Sequence, residues 1–288
     1  MTASLAGIRF VVLAMVCFAV QDGISKYLAE RYPIPFFVML RYWVFAAFVL
    51  VWASGREGGL ARALSTKMPM LQITRGVLLV AQILIFVTAL DLLGLAPMMA
   101  LFSLYPLLIT LLAIPILGER VGWRRLAAVG MGFLGVLVIL RPGTGVFDAG
   151  ALVALLAALG LATYSLLTRM VTRADGSSVP AVLYTGLAGA AAITAVGPFF
   201  WTPMPWQDWA WTGVLALAGL AGHSLLIRAY DASEASRLQP FAYLQMVFGV
   251  GVGWLVFAEP FDPITVLGMA IIIAAGLYAL WREMGARA

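Results

Sequence analysis

Charge is what this chain has least of. Asp, Glu, Lys and Arg make up 11% of its 288 residues, against 63% for the hydrophobic types, whereas soluble domains carry about 25% charged residues. With a mean hydropathy of +1.01, it has more apolar surface than a water-soluble globule can bury. Cysteine is almost missing: Cys17 stands alone, which excludes an intramolecular disulfide. Histidine occurs once, at His223, so no His-Glu-x-x-His zinc site exists. Neither Gly-x-Ser-x-Gly nor a Walker loop is present, which argues against an intramembrane enzyme and leaves no cofactor to expect. Segments of about 10 alternating residues, the mark of a membrane barrel, are also missing, so helices are the spanning element left.

The apolar residues fall into runs of roughly 18 to 23, the length that crosses about 30 Å of hydrocarbon. Ten spans are read: 5-25, 35-53, 72-91, 95-117, 123-140, 149-169, 179-200, 209-229, 237-257 and 263-281. The first carries Gln21 and Asp22 near its far end and is expected to stay as a helix, not to be cleaved as a signal. A pI of about 9.6 does not point to nucleic acid here, because basic residues at helix ends orient a membrane protein. With a cytoplasmic N-terminus, fourteen of the eighteen basic residues fall on the inner side, leaving Lys26, Arg31, Arg41 and Arg141 outside. Both termini are therefore expected in the cytoplasm. The loop holding Trp201, Trp206, Trp209 and Trp211 lacks Lys and Arg, as an outer interfacial belt does.

A shift of 140 residues lays Ala89-Leu90-Asp91 on Ala229-Tyr230-Asp231, Leu104 on Leu244, Glu119 on Glu259, and Leu140 on Leu280. Such self-similarity signals an internal repeat. Five spans per copy is an odd number, so the second copy enters the membrane inverted. The charges agree: Arg120, Arg124 and Arg125 stand opposite Pro260, Ile264 and Thr265. The expected domains are a five-helix repeat at 1-140, a linker at 141-148, and an inverted five-helix repeat at 149-288. Inverted repeats are typical of secondary transporters, with substrate held near the midplane between halves.

Two five-helix units, the fourth helix of each ending at a turn (Gly118-Glu119-Arg120 and Ala258-Glu259-Pro260), resemble the ten-helix EamA-type branch of the drug/metabolite transporter superfamily. The resemblance covers nearly the whole chain; the second copy departs in lacking the glycine and the basic residue. It implies transport of a small-molecule substrate across the lipid bilayer, with a central cavity lined by both halves. Within that family the Trp- and Tyr-containing spans favour an exporter of neutral or aromatic amino acids. The alternatives are sugar-phosphates, nucleotide conjugates or cationic drugs. A channel would need a filter or a ring of like residues, and none is visible.

Polar groups inside spans need a reason. Gln82 on the third span and His223 on the eighth occupy nearly equivalent places in the two copies and are read as cavity-lining. His223 is also suited to binding a proton near neutral pH. The competing reading is that each ties neighbouring helices together, worth about 0.6 kcal/mol. Phe102, Tyr105 and Pro106 form another face, with Gln245 the repeat partner of Tyr105 and Tyr243 adding aromatic surface. Pro106 frees the carbonyl of Phe102, so a kink is expected there. Gln21 and Tyr164, at an offset of 143, complete the candidate substrate-binding set. Asp22 and Lys26 have the spacing and order of a helical ion pair, and Arg41 is expected to pair or snorkel. Glu119 and Glu259 are assigned to helix N-termini, and Ser236 with Gln239 to a capping box. No metal ligands are expected.

Overall fold

The structure, a computed structural model, describes residues 5–56, 58–118, 122–140, 149–232, 241, 243–260 and 262–285. Glu119, Arg120, the 141-148 linker, Ser236, Arg237 and Gln239 lie outside these residues. Among the described residues no strand occurs. The helices are α1 (Leu5–Ala29), α2 (Ile34–Ser54), a short α3 (Gly59–Ala63), α4 (Pro69–Leu93), α5 (Leu95–Phe102), α6 (Tyr105–Leu117), α7 (Trp123–Leu140), α8 (Ala149–Asp175), α9 (Val179–Thr194), α10 (Trp206–Ala232), α11 (Leu244–Phe257) and α12 (Pro263–Gly285). Six segments are long and apolar enough to cross a membrane, counting α5 with α6 as one, and four shorter apolar helices accompany them.

Proline and glycine set the boundaries. Pro35, Pro69, Pro106, Pro180 and Pro263 all fall in a first helical turn, where a missing N–H leaves nothing unpaired. The fourth span is interrupted at Ser103 and Leu104, because Pro106 offers no donor to the Phe102 carbonyl. Leu244, the repeat partner of Leu104, begins α11 directly after Tyr243, within one residue of the repeat equivalent of the α6 start at Tyr105. At the far ends of these helices Gly118 and its partner Ala258 both adopt the left-handed conformation, with φ of 65° and 51°. The seventh span is shorter than read: α9 stops at Thr194, and a 3-10 turn over Gly197–Phe200 follows.

Outward faces carry Leu13, Val20, Phe48, Leu134, Leu217 and Leu255, all exposed, as lipid-facing residues are. Trp201, Trp206, Trp209 and Trp211 are exposed as well. Inside, the main partner of each of these long helices belongs to the other half of the chain: α1 packs on α10, α4 on α8, α2 on α9, α7 on α12, and α6 and α11 on α8 and α1. Small residues permit this closeness. A Cβ at Gly135 would lie 2.8 Å from the Gly268 carbonyl, and one at Gly222 would lie 2.6 Å from the Phe18 ring.

Candidate functional site

Asp22, 2% exposed, sits in the C-terminal half of α1, where every residue from Gln21 to Lys26 is buried. Gln245, in the first turn of α11, donates from Nε2 to Asp22 Oδ2 at 2.9 Å. Gln21 Nε2 reaches Oδ1 only at 3.5 Å, the limit of a useful hydrogen bond. The expected Asp22–Lys26 pair does not form. The longer Lys26 stem carries its ammonium past Asp22 to Glu30 at 3.0 Å and Glu259 at 3.6 Å, leaving the acid to an amide from the other half. Shared helical spacing gives a shared face, and here the reach of each side chain decides its partner.

Around this acid stand Phe18, one turn earlier on α1, and His223 of α10, with ring centroids 5.0 Å apart and an edge-on angle of 64°. His223 lies on the inward face of α10, with Ala216, Gly219 and Gly222 buried beside it, yet its own side chain is exposed. It therefore borders space inside the bundle. Arg41 of α2 approaches the same place: its Nη2 is 3.7 Å from where a Cβ on Gly219 would stand. It neither snorkels out nor pairs with any described residue.

Phe102, Tyr105, Tyr243 and Gln245 come together where the break between α5 and α6 meets the start of α11, lining a cavity of about 20 Å³. Phe102 packs edge-on against Phe86 of α4 at 4.7 Å and lies tilted against Tyr105 at 5.5 Å. Gln245 joins this aromatic group to Asp22. A larger cavity of about 440 Å³ lies toward the Lys26 end, walled by Leu101, Val250, Trp254, Met269 and Glu259. The other two candidates stand apart. Gln82 packs against Gly160 of α8, where a Cβ would come within 3.0 Å of its Cγ. Tyr164 has its hydroxyl engaged by Arg75 Nη1 at 3.0 Å and Thr185 Oγ1 at 3.2 Å.

Arg75 itself is not the loop charge that its position at a span start implies. It is fully buried, and donates to Gln72 Oε1 at 2.9 Å, to Thr168 Oγ1 at 2.9 Å and to the Ala181 carbonyl. Gln72 in turn donates to Asp175 at 3.1 Å, which also receives Thr66 Oγ1 and the Lys67 amide, each at 2.8 Å. This network fastens the start of α4 to α8 and α9. At the opposite end Asp208, at the start of α10, accepts from Tyr27 at 2.9 Å and from Tyr32. The hydrogen bond to Asp208 pushes the Tyr32 phenol up to about 12. Glu259 accepts the Leu95 and Ala96 amides at 2.8 and 3.0 Å, so it caps α5 and not the helix that follows it in sequence. The sequence reading did not single out Phe18, paired Asp22 with Lys26, and expected Arg41 to pair or snorkel. The intramembrane charge of Asp22 and Arg41 was the available signal. Among the described residues no three His, Cys, Asp or Glu side chains converge on a metal-sized site.

Comparison with known proteins agrees with this architecture. An S-adenosylmethionine uptake transporter of Rickettsia prowazekii is 27% identical over 97% of this chain and 94% of its own. A riboflavin transporter of Rhizobium johnstonii is 30% identical over 98% and 93%, and a pseudopaline exporter of Pseudomonas aeruginosa 26% identical over 94% and 94%. A solved crystal structure superimposes with a TM-score of 0.64 at 19% identity, over 96% of this chain and 98% of its own, a likeness of fold alone. The EamA-like transporter family matches at residues 5–141 and again at 148–281. The chain is thus a multi-pass membrane protein that belongs to the EamA-like transporter family.

Proposed function

We propose that the protein is a secondary carrier of small polar metabolites, working by alternating access around a site between two inverted five-helix repeats. The observation that carries this reading is the Asp22–Gln245 hydrogen bond, which joins the halves near the start of α11. Exchange of the two copies turns each main contact into another one present: α1 with α10 becomes α8 with α4, and α11 with α1 becomes α6 with α8. The family match at two separate stretches supports the same division. Ten spans, cytoplasmic termini, and repeats at 1-140 and 149-288 complete the proposal.

In that orientation the Lys26 end faces outward, where a cavity of about 440 Å³ opens beside Lys26 and Glu259, although Gln21 to Lys26 of α1 are all buried. Of the counterparts Tyr164 to Arg169 only Leu166 is. Gln21, Phe102, Tyr105, His223, Tyr243 and Gln245 would meet the substrate, with Gln82 and Tyr164 on the adjoining wall. The relatives' names include uptake and export, so direction is left out of the proposal. Export of neutral or aromatic amino acids becomes one case within it.

Counterflow in proteoliposomes tests this reading. Vesicles loaded with unlabelled phenylalanine, S-adenosylmethionine or riboflavin are expected to accumulate the same labelled solute saturably, and Tyr105→Ala or Gln245→Ala to reduce it. Flux that never saturates would refute a carrier.

A further inference from the structure

Among the described residues three buried polar atoms have no hydrogen-bond partner: Gln21 Oε1 and the hydroxyls of Tyr42 and Tyr243. Such atoms are scarce enough that each calls for a reason. Gln21, 8% exposed, holds Oε1 2.6 Å from the place of a Cβ on Gly219, and Arg41 Nη2 is 3.7 Å from that same point. The amide oxygen and the guanidinium therefore converge on one point of α10, where only glycine leaves them room to approach. Arg41 carries five donors, none of them spent on a described residue, and an unpaired charge inside a bundle is costly. Asp22, next to Gln21, has Oδ1 met only by the 3.5 Å contact, so its acceptor capacity is largely unused. Arg41 is near enough for its charge to act on both Asp22 and His223.

We propose that Arg41, Gln21 and Asp22 form a subsite for a zwitterionic head group, with Arg41 receiving a carboxylate and Gln21 Oε1 and Asp22 Oδ1 receiving an ammonium. The arrangement rests on the carrier reading above and names its substrate class. A ligand with one charge leaves the other protein charge uncompensated, which is how the subsite selects. Phe18 and His223 stand beside these groups to pack against the rest of the ligand.

The test uses counterflow of labelled phenylalanine and S-adenosylmethionine, which both carry an α-ammonium and an α-carboxylate, and of riboflavin, which carries neither. Phenethylamine, 3-phenylpropionate and decarboxylated S-adenosylmethionine serve as competitors. The expected result is saturable counterflow of at least one zwitterion, with its analogues lacking one head-group charge competing at least about tenfold more weakly, the loss of one charge-assisted bond. Arg41→Gln should narrow the gap to the amines, Asp22→Asn the gap to 3-phenylpropionate, and Arg41→Lys should keep part of the discrimination. The competition on the unaltered chain decides the matter even if a variant fails to fold. Riboflavin counterflow alone, or analogues that compete as well as the zwitterion, would overturn the subsite and leave the carrier standing. No counterflow of any probe by folded protein would remove both.

Discussion

Glu259→Ala removes a cap that joins the two halves of the chain, and its cost follows from the contacts. The carboxylate accepts two otherwise free amides at the start of α5, at 2.8 and 3.0 Å. Losing a capping side chain costs about 1 kcal/mol and losing a negative charge at a helix N-terminus about 0.3–1 kcal/mol. Lys26 keeps Glu30 at 3.0 Å, so little is added there. With the second amide also left open in a buried setting, the expected destabilisation is about 2–3 kcal/mol. Glu259→Gln keeps one acceptor oxygen and should lose about half of that. Gly94→Ala should also destabilise, since its φ of 82° disfavours a side chain and a Cβ would stand 2.7 Å from Glu259 Oε1. SDS titration in mixed micelles, followed by tryptophan fluorescence, gives the ranking directly. If Glu259→Gln and Glu259→Ala lose equal stability, or neither loses any, the capping account is refuted.

Further outcomes are expected elsewhere. Ala258→Gly should stabilise by about 1 kcal/mol in the same titration, because the left-handed conformation strains any residue with a Cβ; a loss would mean that the methyl packs more than it strains. Gly135→Ala should cost about 1–3 kcal/mol through overpacking at the α7–α12 crossing, whereas Gly130→Ala, with open space around its Cβ position, should be tolerated. Tyr32 holds its proton to about pH 12 in the folded protein, against an ordinary value of 10.0. The unfolded chain gives up that proton first, so this contribution to stability is intact below pH 10 and is lost as pH rises toward 12. Melting temperatures across that range should fall more steeply in the unaltered protein than in Tyr32→Phe or Asp208→Asn; parallel curves would contradict the link.

The helices were legible because composition and run length alone demand them, and the break at Ser103 because Pro106 cannot donate to Phe102. The repeat also pointed to matching features. Ala258, which departs from Gly118 in residue type, keeps the same backbone conformation, so the turn geometry outlasts the residue best suited to it. Partner choice was not legible. Spacing put Asp22 and Lys26 on one face, but the partners that separate them, Gln245 and Glu259, come from the far half of the chain. Glu259 was legible as a helix-capping acid, while the helix that it caps begins 164 residues earlier. Arg75 looked like a loop charge because it stands near a span start, and only packing of α4 against α8 and α9 surrounds it with acceptors. Tyr164 was drawn into that same network, which a hydroxyl in a candidate stripe cannot announce.

Alternating access is the central claim, and access to Ser103 measures it most directly. Ser103 is buried at the helix break, between the halves, and Cys17 is the only native thiol to remove. A single cysteine at position 103, in a Cys17→Ser background, can be labelled with an impermeant maleimide from either side of oriented vesicles. The account predicts labelling from both sides, with a shift in the ratio when a transported solute is added. Labelling from one side alone, unchanged by any transported solute, would contradict it.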